Sequence, residues 1–121
     1  MKLTILVLFL SAMLVGCSKN DKEHDTQNAC KSADPLEVSW IKEIKNSLTN
    51  CSCEISIIQG TYDGQTVFFT ALTDPACDGI DTPTLYNCNG NIVRIFTMHD
   101  YTDFYTKVTR DNVLYRCKTT R

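Results

Sequence analysis

Seven cysteines stand in this chain of 121 residues, and their spacing sets out the chemistry open to it. Six fall in the part expected to fold: Cys30, Cys51, Cys53, Cys77, Cys88 and Cys117. An even set in a small domain can close as three disulfides in an oxidising compartment. Each would stabilise by about 2–4 kcal/mol, chiefly by restricting the unfolded chain. Cys51 and Cys53 lie two apart at the entry to an expected strand, where a mutual bond would be strained, so they take different partners. Cys77 and Cys88 flank one loop and are expected to join. Cys30 and Cys117 then meet Cys51 and Cys53. A metal reading would gather Cys51-x-Cys53 with His24 or His99. Structural zinc sites use paired C-x2-C, or C-x2-C with H-x3-5-H, and neither spacing occurs. A redox centre would favour C-x-x-C, which is also missing. No metal and no cofactor are assigned.

The remaining candidates are a histidine and a set of acids. His99-Asp100 is adjacent in sequence, but a base and its orienting carboxylate must meet in space. A loop histidine beside a helix cap is the simpler reading. Asp74, Asp78 and Asp81 share one loop, yet their spacing does not match a calcium-binding EF-hand, and they read as a solvated acidic loop. There is no H-E-x-x-H, G-x-S-x-G, phosphate-cradling glycine loop or S-x-x-K. No catalytic residue is assigned, and a small envelope enzyme or metal-dependent protein using His99 and the loop acids is the alternative to a binding role. The net charge of −2 is spread without a basic run, which argues against a nucleic-acid groove.

The N-terminus says where the chain goes. Met1-Lys2 is a short positive start, and Leu3–Val15 is an apolar run too short to span a bilayer. Leu14-Val15-Gly16-Cys17 follows. This resembles the lipobox of bacterial lipoproteins, in which the cysteine is lipidated and the leader is cut before it. The resemblance implies a signal peptide over 1–16, a lipid-bearing Cys17 and a partner in the membrane itself. Two or three acyl chains anchor durably where one does not. Ser18, rather than Asp, implies the outer membrane. Asp21, Glu23 and Asp25, among Lys19 and Lys22, are similar to the surface-export signals of Bacteroidetes-type lipoproteins, so the domain is expected to face the periplasm or the cell surface. Residues 17–33 read as a flexible polar tether, and 34–121 as a single domain.

The elements that must position these residues can be read in order. Asp34-Pro35-Leu36-Glu37 reads as a helix start, with Asp34 as N-cap and Glu37 reaching back in a capping box. Leu36, Trp40, Ile41, Ile44 and Leu48 form one apolar stripe, on which Trp40 is a core residue. Cys53–Ile58 alternates as a strand, Gly60 interrupts it, and Asp63-Gly64 is a hairpin turn. Gln65–Leu72 is apolar on both faces, hence a central strand. Thr73–Pro83 is a loop. Thr84–Cys88 and Asn91–Phe96 make a second hairpin about Asn89-Gly90. Asp100 caps a short helix with the stripe Tyr101, Phe104, Tyr105 and Val108, and Asn112–Cys117 is the last strand. The order predicts an α+β fold: a small, mostly antiparallel sheet packed by an N-terminal amphipathic helix and a short second helix, both covering one face, with disulfides as staples.

Trp40, Gly64-Gln65-x-Val67-Phe68-Phe69, Cys77-Asp78 and Leu85-Tyr86-Asn87-x-x-Gly90 together resemble a group of uncharacterised small Bacteroidetes-type lipoproteins. Thr97–Lys107 departs from that group, which carries a Gly- and Asp-rich stretch there, and the group implies no activity. The chain therefore reads as a membrane-anchored envelope lipoprotein carrying a non-catalytic binding or interaction module. Its partner would be an envelope or extracellular protein or ligand. Tyr62, Asp78, Asp81, Tyr86 and Asn89, in loops and at exposed aromatic positions, are the expected contacts.

Overall fold

The computed structural model describes Gly16 and residues 27–119. Residues 1–15 of the leader, Cys17, His24 and the rest of 18–26, and residues 120–121 lie outside the described residues. The fold is α+β. A 3-10 turn (Pro35–Glu37) leads into α1 (Ser39–Ser47), followed by β1 (Ile55–Tyr62), β2 (Gln65–Leu72), β3 (Thr84–Tyr86), β4 (Ile92–Ile95), α2 (Tyr101–Lys107) and β5 (Val108–Cys117). The strands form one antiparallel sheet in the order β4-β3-β2-β1-β5, with β2 at its centre as its two apolar faces require.

The pleat of β2 builds two cores. Successive side chains point to opposite faces. Val67, Phe69 and Ala71 go one way, joining Ile58, Leu85, Phe96, Val108 and Phe104 of α2. Phe68 goes the other way, joining Ala29, Val38, Ile57 and Ile41 of α1. The two helices thus lie on opposite faces of the sheet, not together on one as the sequence suggested. Trp40 meets the edge of Phe68 at 5.6 Å between ring centroids and leans on Tyr86 at 5.8 Å. Its indole N–H donates to the Gln27 carbonyl (3.0 Å). Gly90, at φ 82°, lies against the same indole, and a Cβ there would come within 2.8 Å of it.

The first helix does not run unbroken. Asp34 accepts from the Leu36 N–H (3.0 Å) and caps the 3-10 turn. Val38 then adopts an extended conformation (φ −67°, ψ 131°) and is buried among the apolar residues under α1. Glu37 makes no capping box; it pairs with Lys42 at 3.3 Å. Burying Val38 outweighs one turn of continuous helix. Gly60 does not interrupt β1 either. It lies within the strand at a register shift against β5, where a Cβ would run into the Thr109 carbonyl oxygen. Its role is to admit a neighbouring backbone. Asp63 and Gly64 both have positive φ, as a tight two-residue hairpin requires. The packed region begins before Asp34: Ala29 is 1% exposed and its N–H donates to the Cys88 carbonyl (2.8 Å).

Three disulfides close the frame: Cys30–Cys88, Cys51–Cys117 and Cys53–Cys77, with Cα separations of 5.3, 5.7 and 6.1 Å. Cys51 and Cys53 take different partners, and Cys117 meets Cys51. The expected Cys77–Cys88 bond is replaced, because the chain before α1 folds back beside the β3–β4 hairpin and brings Cys30 to Cys88. Cys77 stays with Cys53, since Thr73 and Asp74 hold the loop's start to Glu54 at the head of β1. Such bonds form and persist in an oxidising environment, as exported proteins meet. No described helix is long and apolar enough to cross a membrane.

Digestion of the unreduced protein with peptide mass mapping should return these three cystine pairs, and a peptide joining Cys77 to Cys88 would refute the frame. Removing Cys30 and Cys88 together by substitution with serine should lower stability by about 2–4 kcal/mol. Gly60→Ala should lower it by at least ~1–3 kcal/mol, because strand backbone must move. Urea unfolding measures both.

Candidate functional site

One part of the sheet is left open. Register fixes what faces α1: Phe68 pairs with Tyr86, Tyr86 with Ile92, and Thr84 with Ile95. Paired residues share a face, so Ile92 and Ile95 both look to the α1 side. A three-residue spacing in a regular strand would separate them. The irregularity opposite Leu85 and Tyr86 adds one residue, so that Val93 and Arg94 both turn to the α2 side. α1 packs over Ile57, Phe68, Leu114 and Tyr115 and meets Tyr86 of β3 through Trp40, and it leaves the α1 side of β4 exposed. There Ile92 and Ile95 are 58% and 57% exposed.

Three shallow depressions lie along α1 and the end of the sheet. The first is lined by Trp40, Glu43, Ile44, Ser47, Tyr86 and Gly90. A second shares Ser47 and follows the chain from Leu48 to Cys53 and Ile55. A third shares Ile55 and continues over Thr70 and Leu72 to Ile80, Asp81, Thr82 and Pro83. The walls carry apolar, hydroxyl and amide groups, and among the described residues the charged side chains lining them are Glu43 and Asp81. Ile80, itself half exposed, rims the far end from the loop between β2 and β3. Gly79 beside it lies against Leu72, where a Cβ would come within 2.8 Å.

The opposite face carries a polar cluster centred on Arg94. Its guanidinium donates to the Tyr62 hydroxyl (2.8 Å) and to Asp100 and Asp103 (3.2 Å each). It stacks over Phe96 at 4.3 Å. Lys107 reaches Asp103 at 3.0 Å. The Tyr62 hydroxyl and then Asp100 push the Arg94 pKa further up. Asp100 is held low first by the Thr97 backbone N–H, and Asp103 first by Lys107 and then by Arg94. Asp100 therefore acts on Thr97 and Arg94 and makes no side-chain cap on α2. Every charge in this cluster has a partner, which suits a strut that fixes α2 against β4 rather than a reactive centre.

The loop 73–83 is held just as firmly. Asp74 accepts from the backbone N–H of Glu54 (3.1 Å) and Ala76 (3.0 Å). Glu54 accepts from Thr73 and Arg116, and these two, in that order, lower its pKa. Asp81 accepts from the Leu72 N–H (2.8 Å), and it also meets Arg110 at 3.4 Å and the Tyr105 hydroxyl. Cys53, Asp74 and Cys77 bring ligand-type atoms within 4.8 Å of one another. Both sulfurs are spent on the Cys53–Cys77 bond, so the group lacks the thiolates that a soft metal site uses.

The sequence-predicted contacts are not gathered in one place. Tyr86 lines the first depression and Asp81 the third. Tyr62 lies on the other face beneath Arg94, Asp78 is exposed in the loop, and Asn89 is exposed in the hairpin turn with its N–H donated to Asn87 (3.0 Å). His99 is exposed, and no hydrogen bond or ion pair joins its imidazole to Asp74, Asp78 or Asp81 among the described residues. Sequence reasoning missed Arg94, Ile92, Ile95 and Ile80. The signal for Arg94 was its place as the one charge in an otherwise apolar strand.

Because Asp100, Asp103 and Glu54 have lowered pKa values when folded, the unfolded chain binds protons first as pH falls. Their stabilisation is complete above the ordinary carboxylate range near pH 4 and fades as pH drops through the folded values. Asp100→Asn should flatten this acid limb and lower the melting temperature at neutral pH, read from melting curves between about pH 7 and pH 2. An unchanged acid limb would show that Asp100 carries none of it. Comparison with protein-family models, with curated proteins and with solved structures finds no match to this chain.

Proposed function

We propose that the chain is a lipid-anchored lipoprotein of the bacterial envelope, and that its domain is a non-catalytic binding module using the open half of the α1 face. The observation that carries the binding reading is the exposure of Ile92 and Ile95 on the α1 side of β4, together with half-exposed Ile80 at the depression lined by Ile55, Thr70 and Leu72. Apolar side chains grouped around a concavity mark interaction sites in soluble domains. The disulfides favour the same role: they hold the rim in place before a partner arrives, which reduces the ordering penalty of binding. Anchoring rests on the lipobox-like Leu14-Val15-Gly16-Cys17 and on the polar stretch after it, which would hold the domain off an outer membrane on its periplasmic or surface side.

The anchoring is tested by the intact mass of detergent-extracted protein. A mass above that of the Cys17–Arg121 polypeptide by a diacylglyceryl group or more is expected, and Cys17→Ser should abolish the increment. Retention of the leader on the wild-type chain would count against lipoprotein processing. The binding reading is tested by photo-crosslinking on whole cells. A benzophenone side chain at Ile80 should give a discrete adduct, and the same probe at Val113, equally an exposed apolar position on the sheet's far edge, should not. Equal crosslinking at both positions would mean that the open face has no special partner.

A further inference from the structure

The depression between α1 and the β3–β4 hairpin joins two aromatic rings to a carboxylate that has no cation beside it. Trp40, Glu43, Ile44 and Ser47 stand along one flank of α1, where residues three and four apart are neighbours. Tyr86 of β3 and Gly90 of the hairpin complete a space of about 370 Å³, at the small end of the range for ligand pockets. The Trp40 and Tyr86 rings lie 5.8 Å apart with their planes inclined at 44°, so they form a wedge of two aromatic walls rather than a closed stack. Gly90 places no side chain against the indole, where a Cβ would come within 2.8 Å. Glu43 is exposed, and its carboxylate has no ion-pair partner among the described residues. The lysines near it on the helix are engaged elsewhere: Lys42 pairs with Glu37 at 3.3 Å, and Lys45 lies over the Tyr115 ring at 5.2 Å.

We propose that this depression binds a small organic cation that carries its charge on an apolar surface, with a trimethylammonium group as the plainest case. The faces of Trp and Tyr attract such a cation through the ring quadrupole, and its weak hydration makes it easy to bring against them. Glu43 supplies the opposite charge at the rim, and no lysine or arginine lines the depression among the described residues to oppose the ligand. Ile44 offers apolar contact to the methyl groups, and the Ser47 hydroxyl offers an acceptor to a polar tail. A neutral ligand of the same shape would gain the contact and leave the carboxylate unused. An anion would be repelled by it. The inference goes beyond the partner-binding reading: it concerns a small ligand in one depression and needs no partner on Ile80 or β4. A trimethylammonium group reaches the site either as a free solute or on a lipid headgroup, and the same groups recognise both.

The test uses the processed full chain in uncharged maltoside micelles and reads the fluorescence of Trp40, the one tryptophan in the sequence. Choline is titrated at constant ionic strength, beside the uncharged alcohol of the same shape with carbon in place of the nitrogen. Choline should change the Trp40 emission saturably, and the uncharged analogue should bind about tenfold more weakly or worse. Glu43→Gln, at an exposed position, should weaken choline about fivefold with the melting temperature preserved, and Glu43→Lys should weaken it further. Equal binding of choline and its analogue would overturn the cation preference. A choline response unchanged in Glu43→Gln would overturn the site, and so would the lack of any saturable response. The emission is then compared in phosphatidylcholine and phosphatidylglycerol nanodiscs. A Glu43-dependent change confined to the phosphatidylcholine discs, which free choline does not extend, would assign the cation to a lipid headgroup. A full response to choline in both kinds of disc would assign it to a solute. Crosslinking at Ile80 reads the partner face separately, so either reading can fail without the other.

Discussion

Phe68 and Phe69 are neighbours in the central strand, and the pleat sends one ring to each side of the sheet. Much of the architecture depends on that single constraint. Each buried phenylalanine contributes about 1.5–3 kcal/mol only if its side is covered. Phe68 is covered by Trp40, Ile41 and Ile57, which requires α1. Phe69 is covered by Phe104 at 5.4 Å, edge to face, and Phe104 by Phe96, which requires α2 on the far side. With the two described α-helices on opposite faces of the sheet, each face has one helix. One helix is about 10–12 Å across, and strands lie ~4.8 Å apart, so a single helix covers two or three strands. The exposed α1 side of β4 follows from this width.

Two thin cores in so small a domain leave stability close to the margin, and the disulfides answer this. Three bonds at ~2–4 kcal/mol each are comparable with the whole 5–15 kcal/mol of a typical domain. Their placement matters as much as their number. Cys51–Cys117 ties the end of β5 to the segment entering β1, and the Thr119 N–H adds a bond to the Cys51 carbonyl. Cys30–Cys88 fastens the chain before α1 to the β3–β4 hairpin, whose Gly90 presses on Trp40. Cys53–Cys77 holds the loop that presents Ile80. The bonds therefore secure the chain before α1, the loop 73–83 and the end of β5, none of which lies inside a regular core element.

Local signals made most of the elements legible. The Asp63-Gly64 turn, the doubly apolar β2 and the breaks at Thr73–Pro83 each depend on residues within one or two turns of chain. What was illegible depended on distant partners. Gly60 reads as a breaker until β5 is known to press on it. Val38 reads as a helical position until its burial beside Ala29 and Ile57 is known. The Cys77–Cys88 expectation used nearness along the chain, and Cys30, 58 residues from Cys88, arrives by a fold-back no local pattern announces. The contact residues chosen for polarity and exposure were split between faces for the same reason: Tyr62 and Tyr86 are both aromatic residues at strand ends, and only the register shows that one belongs to the Arg94 cluster and the other to the open face.

The extra residue in β4 connects the strut to the open face. Without it, Ile92 and Ile95 would point to opposite sides, and Arg94 would stand alone over Phe96. With it, Val93 and Arg94 both turn toward α2, where Val93 packs against the core and Arg94 engages Tyr62, Asp100 and Asp103. Both isoleucines are thereby released to the other side. The irregularity thus sends Val93 to the α2 side and Ile92 to the α1 side, while the pairing of Arg94 with Leu85 sets the direction of Arg94. A strand selected only for stability would gain by burying those isoleucines or by placing a lysine outward. Here the charge is directed inward and tied down by three side chains, while the opposite edge keeps its charges exposed.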